Sequence, residues 1–252
     1  MSRPVAYDLN SLRDISRNMA MLRGVGGGKV AFTPASLPGL ALWLDATAIT
    51  GLVDADPVGT WSDQSGNGRD ATQATAAKKP TYKTNIQNGK PVVRFDSIDD
   101  GLSVTMSLAA GSWSCYAVVL VPSATTAGNY VLDAETGRLI FSPRDSDDNT
   151  KVGWYDGLWK DIAAITSGWK LLAWILTSGG NGEVFVDGVS KGTAAYSAQA
   201  IGGAIAIGTR YNINGTNNLR SDLGEFALYS GAHTVADRQQ LENYYNTKWA
   251  VY

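Results

Sequence analysis

Apolar residues in this chain fall mostly into short β-branched and aromatic runs broken by turn residues. Glu183-Val184-Phe185-Val186 ends in Asp187-Gly188, a pair that tolerates the positive φ of a two-residue hairpin. Leu42-Trp43-Leu44-Asp45, Val92-Val93-Arg94-Phe95-Asp96 and Cys115-Tyr116-Ala117-Val118-Val119 predict further strands, and Asn88-Gly89-Lys90-Pro91 predicts a turn. Leu223 to Tyr229 reads as a last strand. Two segments depart from this pattern. Between Asp8 and Arg23, Leu12, Ile15, Met19 and Leu22 recur at helical spacing, with Gly24 as a stop. From Thr234 to about Trp249 a second helix is expected, opened by Thr234 and Asp237 in a capping-box arrangement.

Composition fits an ordered, turn-rich globule. The 252 residues are 44% hydrophobic and 17% charged, with 28 Gly and 8 Trp, enough for one sizeable core. The expected division is residues 1–36, a helical anchor with the Gly24–Gly28 joint, and residues 37–252, the sandwich. A net charge of −2 without a Lys/Arg block argues against nucleic acid as a partner. The longest apolar runs fall far short of the roughly 20 residues of a membrane-spanning helix, so no membrane insertion is expected. Cys115 is the one cysteine, which rules out an internal disulfide and suits a buried strand position. Gly28-Lys29-Val30 lacks the Ser/Thr of a phosphate-binding loop.

The Trp43-Leu44-Asp45 entry strand, the Asp63-Gln64-Ser65-Gly66-Asn67 loop, the turn into Arg94-Phe95-Asp96 and the closing strand and helix, in that order, resemble the laminin-G-like, concanavalin-type jelly-roll domains. The resemblance covers roughly residues 37–252. It implies an all-β fold: a jelly-roll β-sandwich of two antiparallel sheets, with the C-terminal helix following and the short N-terminal helix preceding. Such domains are mostly binding modules. Asp45, Asp63, Asp96, Asp99 and Asp100 match carboxylates that recur in similar domains, and ordering turns is their expected work.

Some jelly-roll relatives are glycanases, and a retaining glycosidase needs two carboxyls about 5 to 5.5 Å apart. Asp133-Ala134-Glu135 comes nearest to that pattern, but Val131 stands where a first carboxylate belongs, and a hairpin tip is the expected role. The single histidine, His233, reads as a surface loop residue without a nucleophile partner. A non-enzyme is therefore expected. Calcium is a candidate ligand: Asp145, Asp147 and Asn149 place oxygens at alternate positions and Asp156 falls where the last ligand of a calcium loop would stand, although Thr150 replaces the glycine of its sharp turn.

A sugar offers an apolar ring face and a rim of hydroxyls, so aromatics beside amides are candidates to bind it. Trp154, Tyr155 and Trp159 form one such stretch, and Tyr211, Asn212 and Asn214 another; core packing is the competing role for the tryptophans. Leu12, Ile15, Met19 and Leu22 would serve self-association or docking, or fold back on the sandwich. Met1-Ser2-Arg3-Pro4 carries none of the apolar stretch of a secretory signal. Together these features suggest a structural component of a phage or phage-like particle, such as a head or tail fibre or capsid decoration protein. It would be made in the host cytoplasm, oligomeric, displayed at the virion surface, joined to other virion proteins by its N-terminal segment and in contact with host surface polysaccharide. The alternatives are a secreted-type carbohydrate-binding or adhesion module and a glycan-degrading enzyme.

Overall fold

In the computed structural model, which describes residues 31–123, 129–144, 148–215 and 217–252, the short runs become strands of two antiparallel sheets. The strands are β1 (Leu40–Asp45), β2 (Thr60–Trp61), β3 (Ala71–Thr72), β4 (Thr81–Gln87), β5 (Lys90–Arg94) and β6 (Leu102–Val104). Then come β7 (Leu108–Gly111), β8 (Trp113–Val121), β9 (Leu132–Thr136), β10 (Ile140–Ser142), β11 (Lys151–Tyr155) and β12 (Trp159–Ala164). The last are β13 (Gly168–Leu176), β14 (Asn181–Val186), β15 (Val189–Ala195), β16 (Gln199–Ile207) and β17 (Asp222–Ser230), followed by the helix α1 (Val235–Trp249). The expected N-terminal helix with Leu12, Ile15, Met19 and Leu22 lies outside the described residues. Thr33–Tyr252 form one compact unit.

The first sheet runs β15-β14-β13-β8-β17-β5-β4, with β1 also paired to β17. The second runs β12-β11-β10-β9-β16-β6-β3-β2, with β7 also paired to β16. This is a jelly-roll sandwich, and its core is made by alternation. On β8, Trp113, Cys115, Ala117, Val119 and Val121 point between the sheets, while Ser114, Tyr116 and Val118 are buried on the other side. The turns behave as their residues require: Asp187 and Gly188 have φ of 53° and 75°, and the Asp187 carboxylate accepts from the Leu171 amide and the Lys170 ammonium. Asp63 likewise accepts from the amides of Trp43, Ser65 and Arg69 and from the Ser65 hydroxyl. Burial pushes its carboxyl up, but these hydrogen bonds outweigh burial and hold it below the ordinary range.

What buries the outer side of the first sheet is α1. Thr234 and Asp237 close the expected capping box, and Leu241, Tyr245 and Trp249 are fully buried against the strands. Tyr245 stacks on Tyr116 at 6.0 Å between centroids. Trp249 lies over Gly224, where an added Cβ would meet its ring at 2.8 Å, so only glycine allows the helix to approach this closely. Beside it Glu225, fully buried on β17, accepts from the Trp43 indole at 2.7 Å, the Trp249 indole at 2.7 Å and the Tyr244 hydroxyl at 3.1 Å. Lys248 sits 2.8 Å from the same carboxylate and also pairs with Asp45 of β1. Burial raises the Glu225 carboxyl above its ordinary range, the Asp45 charge adds to this, and Lys248 and Trp249 oppose it.

Glu225→Ala would leave the Trp43 and Trp249 indoles without their acceptor and take from Lys248 one of its two carboxylates. Removing one partner of a buried pair costs about 3 to 5 kcal/mol, so urea unfolding of the variant is expected to show a loss of that size; a loss under about 1 kcal/mol would mean that this carboxylate does not hold the helix.

Candidate functional site

Directly opposed residues of an antiparallel ladder share a face of the sheet. Following such pairs across the second sheet gives one row: Thr60, Thr72, Ser103, Ala206, Asp133, Ile140, Tyr155 and Trp159. None of these eight belongs to the core between the sheets, whereas Leu132, Ala134, Phe141 and Trp154, one residue along, all do. The row is the outer face of the sheet. At its aromatic end, Trp159 meets Tyr155 edge-on at 5.4 Å and Tyr130 at 5.8 Å.

Two guanidinium groups flank these rings. Gly137 and Arg138, both at positive φ, turn the chain from β9 into β10. Arg138 folds back to grip the fully buried Asp133 with two hydrogen bonds of 2.9 and 3.2 Å. Its guanidinium then lies 5.9 Å from the Tyr155 ring centre and 5.1 Å from that of Tyr211. The loop after β16 comes over the row here: the Tyr211 amide donates to Asp133 at 3.2 Å, and Arg210 lies 5.7 Å from the Tyr211 ring. Burial raises the Asp133 carboxyl above its ordinary range, against the pull of Arg138 and the Tyr211 amide. Around this patch Asn212, Asn214, Asp161 and Glu135 are exposed, and so is Leu158, at 71%. A half-buried aromatic surface with polar groups at its margin can stack on an apolar ring face and hydrogen-bond to the oxygens around it.

The structure thus brings together Tyr155, Trp159 and Tyr211, with Asn212 and Asn214 on the adjoining loop. It corrects the assignment of Trp154, which is fully buried and donates its indole N–H to Asp156 at 3.1 Å. Neighbours on a strand face opposite ways, so Trp154 and Tyr155 cannot serve one surface. Of the expected calcium ligands, Asp156 is already engaged within the fold. Asp156 is buried and accepts from Trp154 and from the Ser197 amide at 2.9 Å, with Lys160 3.4 Å away, while the Asn149 carbonyl accepts from Arg144. Asp145 and Asp147 lie outside the described residues. His233 is no free surface residue: it packs 4.4 Å from the Tyr229 ring and shares a 2.9 Å hydrogen bond with the Tyr116 hydroxyl, and burial lowers its pKa. Asp133 lies within β9, so only Glu135 and Thr136 approach the hairpin tip. Arg138 and Arg210 were invisible as site residues, because what recruits them is contact between segments far apart in sequence.

A second group of carboxylates could hold a cation. Oxygens of Asp96, Asp99 and Asp100 lie within 4.8 Å of one another. Asp96 also accepts from the amides of Ile98, Asp99 and Asp100, and Asp100 accepts from the Asp96 amide at 2.9 Å, which is the turn-ordering work expected of them. Burial, with the charges of Asp96 and Asp99 adding to it, pushes Asp100 up to about 7. Elsewhere a cavity of about 290 Å³ is lined by Ala48, Ile49, Thr50, Leu52, Gly59, Thr60 and Ser62, none of them ionisable.

No protein family and no curated protein matches this chain. Solved structures do match in fold. Trypanosoma rangeli sialidase in complex with sialic acid superposes with a TM-score of 0.58 at 14% identity over 93% of this chain, which spans 38% of the sialidase. Domain 4 of the Geobacillus stearothermophilus arabinanase AbnA, in complex with arabinotriose, gives 0.53 at 20% identity, covering 76% of this chain and 98% of that domain. The botulinum neurotoxin serotype D ligand-binding domain in complex with N-acetylneuraminic acid gives 0.52 at 13% identity, covering 81% of this chain and 50% of that one.

The Asp100 carboxyl rises from an ordinary 3.8 to about 7 on folding, so between those values the folded chain holds a proton that the unfolded chain has lost. Stability contributed by this group is therefore present at low pH and lost as pH rises through about 7. Asp100→Asn, which keeps an oxygen for the Asp96 amide, is expected to raise Tm at pH 8 while changing it little at pH 4. An unchanged Tm at both pH values would show that Asp100 is not strained.

Proposed function

We propose that this chain is a non-enzymatic glycan-binding module that uses the outer face of its second sheet. The observation that carries this reading is the joining of Trp159 and Tyr155 to Arg138 and Arg210 on a face with no helix over it among the described residues. Asp133, the buried carboxylate of the patch, is already held by Arg138 and the Tyr211 amide, which suits positioning rather than proton transfer. The arabinanase domain, matched over almost its whole length, is in complex with arabinotriose, and the neurotoxin ligand-binding domain, matched over half of its length, is in complex with N-acetylneuraminic acid, which supports the class of ligand.

The setting we propose is the one suggested by the sequence: a module displayed on a phage or phage-like particle, joined to other virion proteins and to its own copies through the segment bearing Leu12, Ile15, Met19 and Leu22, and touching host surface polysaccharide. Light scattering on the full chain and on a chain lacking residues 1–28 tests the anchor, with an oligomer expected only for the former. A monomer in both cases would overturn it.

Trp159→Ala is expected to abolish signals on a glycan array while shifting Tm by no more than a few degrees. Undiminished glycan binding by a folded Trp159→Ala would place the binding surface elsewhere.

A further inference from the structure

The arginines of the second sheet differ in one respect. Arg138 is neutralised by Asp133 through a two-pronged hydrogen bond, and Arg144 donates to the carbonyls of Pro122, Asn149 and Ile165. Arg210, next to Tyr211, has neither kind of partner among the described residues. Its guanidinium makes no ion pair or hydrogen bond, and its Nε is sealed from solvent without an acceptor. A half-buried cation of this kind has lost part of its hydration and gained in exchange one aromatic ring and the charge of Asp133, which is already bonded to Arg138, but no hydrogen bond of its own.

We infer that the ligand of this face is an acidic glycan, one carrying a carboxylate, and that Arg210 is the residue that receives it. This inference rests on the glycan-binding reading above. A carboxylate matches the planar fork of a guanidinium with two parallel hydrogen bonds, which a neutral hydroxyl cannot do. The aromatic pair Trp159 and Tyr155 gives the ring of the sugar its contact, and Arg138, committed to Asp133, fixes the rings beside which the acid sits. Glu135 and Asp161 on the margin of the same face do not cancel this local preference. Glu135 is turned to the Ala204 amide, and both are exposed, where water and salt weaken their effect. They do exclude a broad positive field, so recognition has to come from direct contact at Arg210 and not from long-range attraction.

The test is calorimetric titration of the full chain with two acidic probes, 3′-sialyllactose and trigalacturonic acid, and two neutral ones, lactose and maltotriose. At least one acidic probe is expected to bind about tenfold to a hundredfold more tightly than either neutral probe, the difference a charge-assisted pair makes. Arg210→Gln should erase that difference, and Arg210→Lys should recover only part of it, because an ammonium keeps the charge and loses the fork. Neutral probes binding as tightly as acidic ones, or an acidic preference that survives Arg210→Gln, would overturn the assignment of an acidic glycan and leave the glycan-binding face standing. No binding by any probe, to a chain shown to be folded by its melting transition, would count against both.

Discussion

Glu225 is the point at which the fold is closed. Its carboxylate, with no exposure to water, gathers Trp43 from β1, Trp249, Tyr244 and Lys248 from α1, and through Lys248 reaches Asp45. A charge placed so deeply is tolerable only because four donors surround it. The consequence is geometric. The helix cannot slide on the sheet without stranding those donors, and the bare backbone at Gly224 leaves Trp249 one seat.

Among the described residues the one α-helix is committed to the first sheet, and none lies over the second. That sheet answers in its own way. The loop after β16 and the turn after β9 bring Tyr211, Arg210 and Arg138 over the middle of the outer row, and Tyr155 and Trp159 at its end stay half-exposed. The same division of labour that makes one face structural leaves the other able to meet a ligand. In this sense the site is a by-product of where the helix went.

Much of this architecture could be seen in the residues themselves, wherever the deciding physics is local. Asp187-Gly188 and Asn88-Gly89 make the turns they signal, Thr234 and Asp237 cap the helix, and Asp63 orders its loop, because each depends on dihedral preferences or on hydrogen bonds within a few residues. Trp154 shows a limit that local reasoning could have respected: in a strand it and Tyr155 must face opposite ways, so pairing them in one surface contradicted the strand itself. The engagement of Asp156 has the same root, since it follows Tyr155 at the end of β11 and turns back to Trp154. Arg138 and Arg210 belong to another class. What joins them is the pairing of β9 with β16, and no pattern within either segment announces it. His233 was misjudged for a related reason, as its partner Tyr116 arrives from a strand more than a hundred residues earlier.

The order of strands also bears on how the chain is made. β17 is the strand that β8, β1 and β5 all pair with, and β16 is the strand that β9, β6 and β7 all pair with, yet these two come last in chain order among the strands of the sandwich. Until they arrive each sheet is in three pieces, β15-β14-β13-β8, β5-β4 and β1 in the first and β12-β11-β10-β9, β6-β3-β2 and β7 in the second, with unpaired edges of the kind that seek strands in other chains. Folding is then a late and concerted event, dominated by contacts between distant segments and slow for that reason. For a protein built this way the vulnerable period is synthesis, and the last strands determine whether the earlier ones ever find shelter.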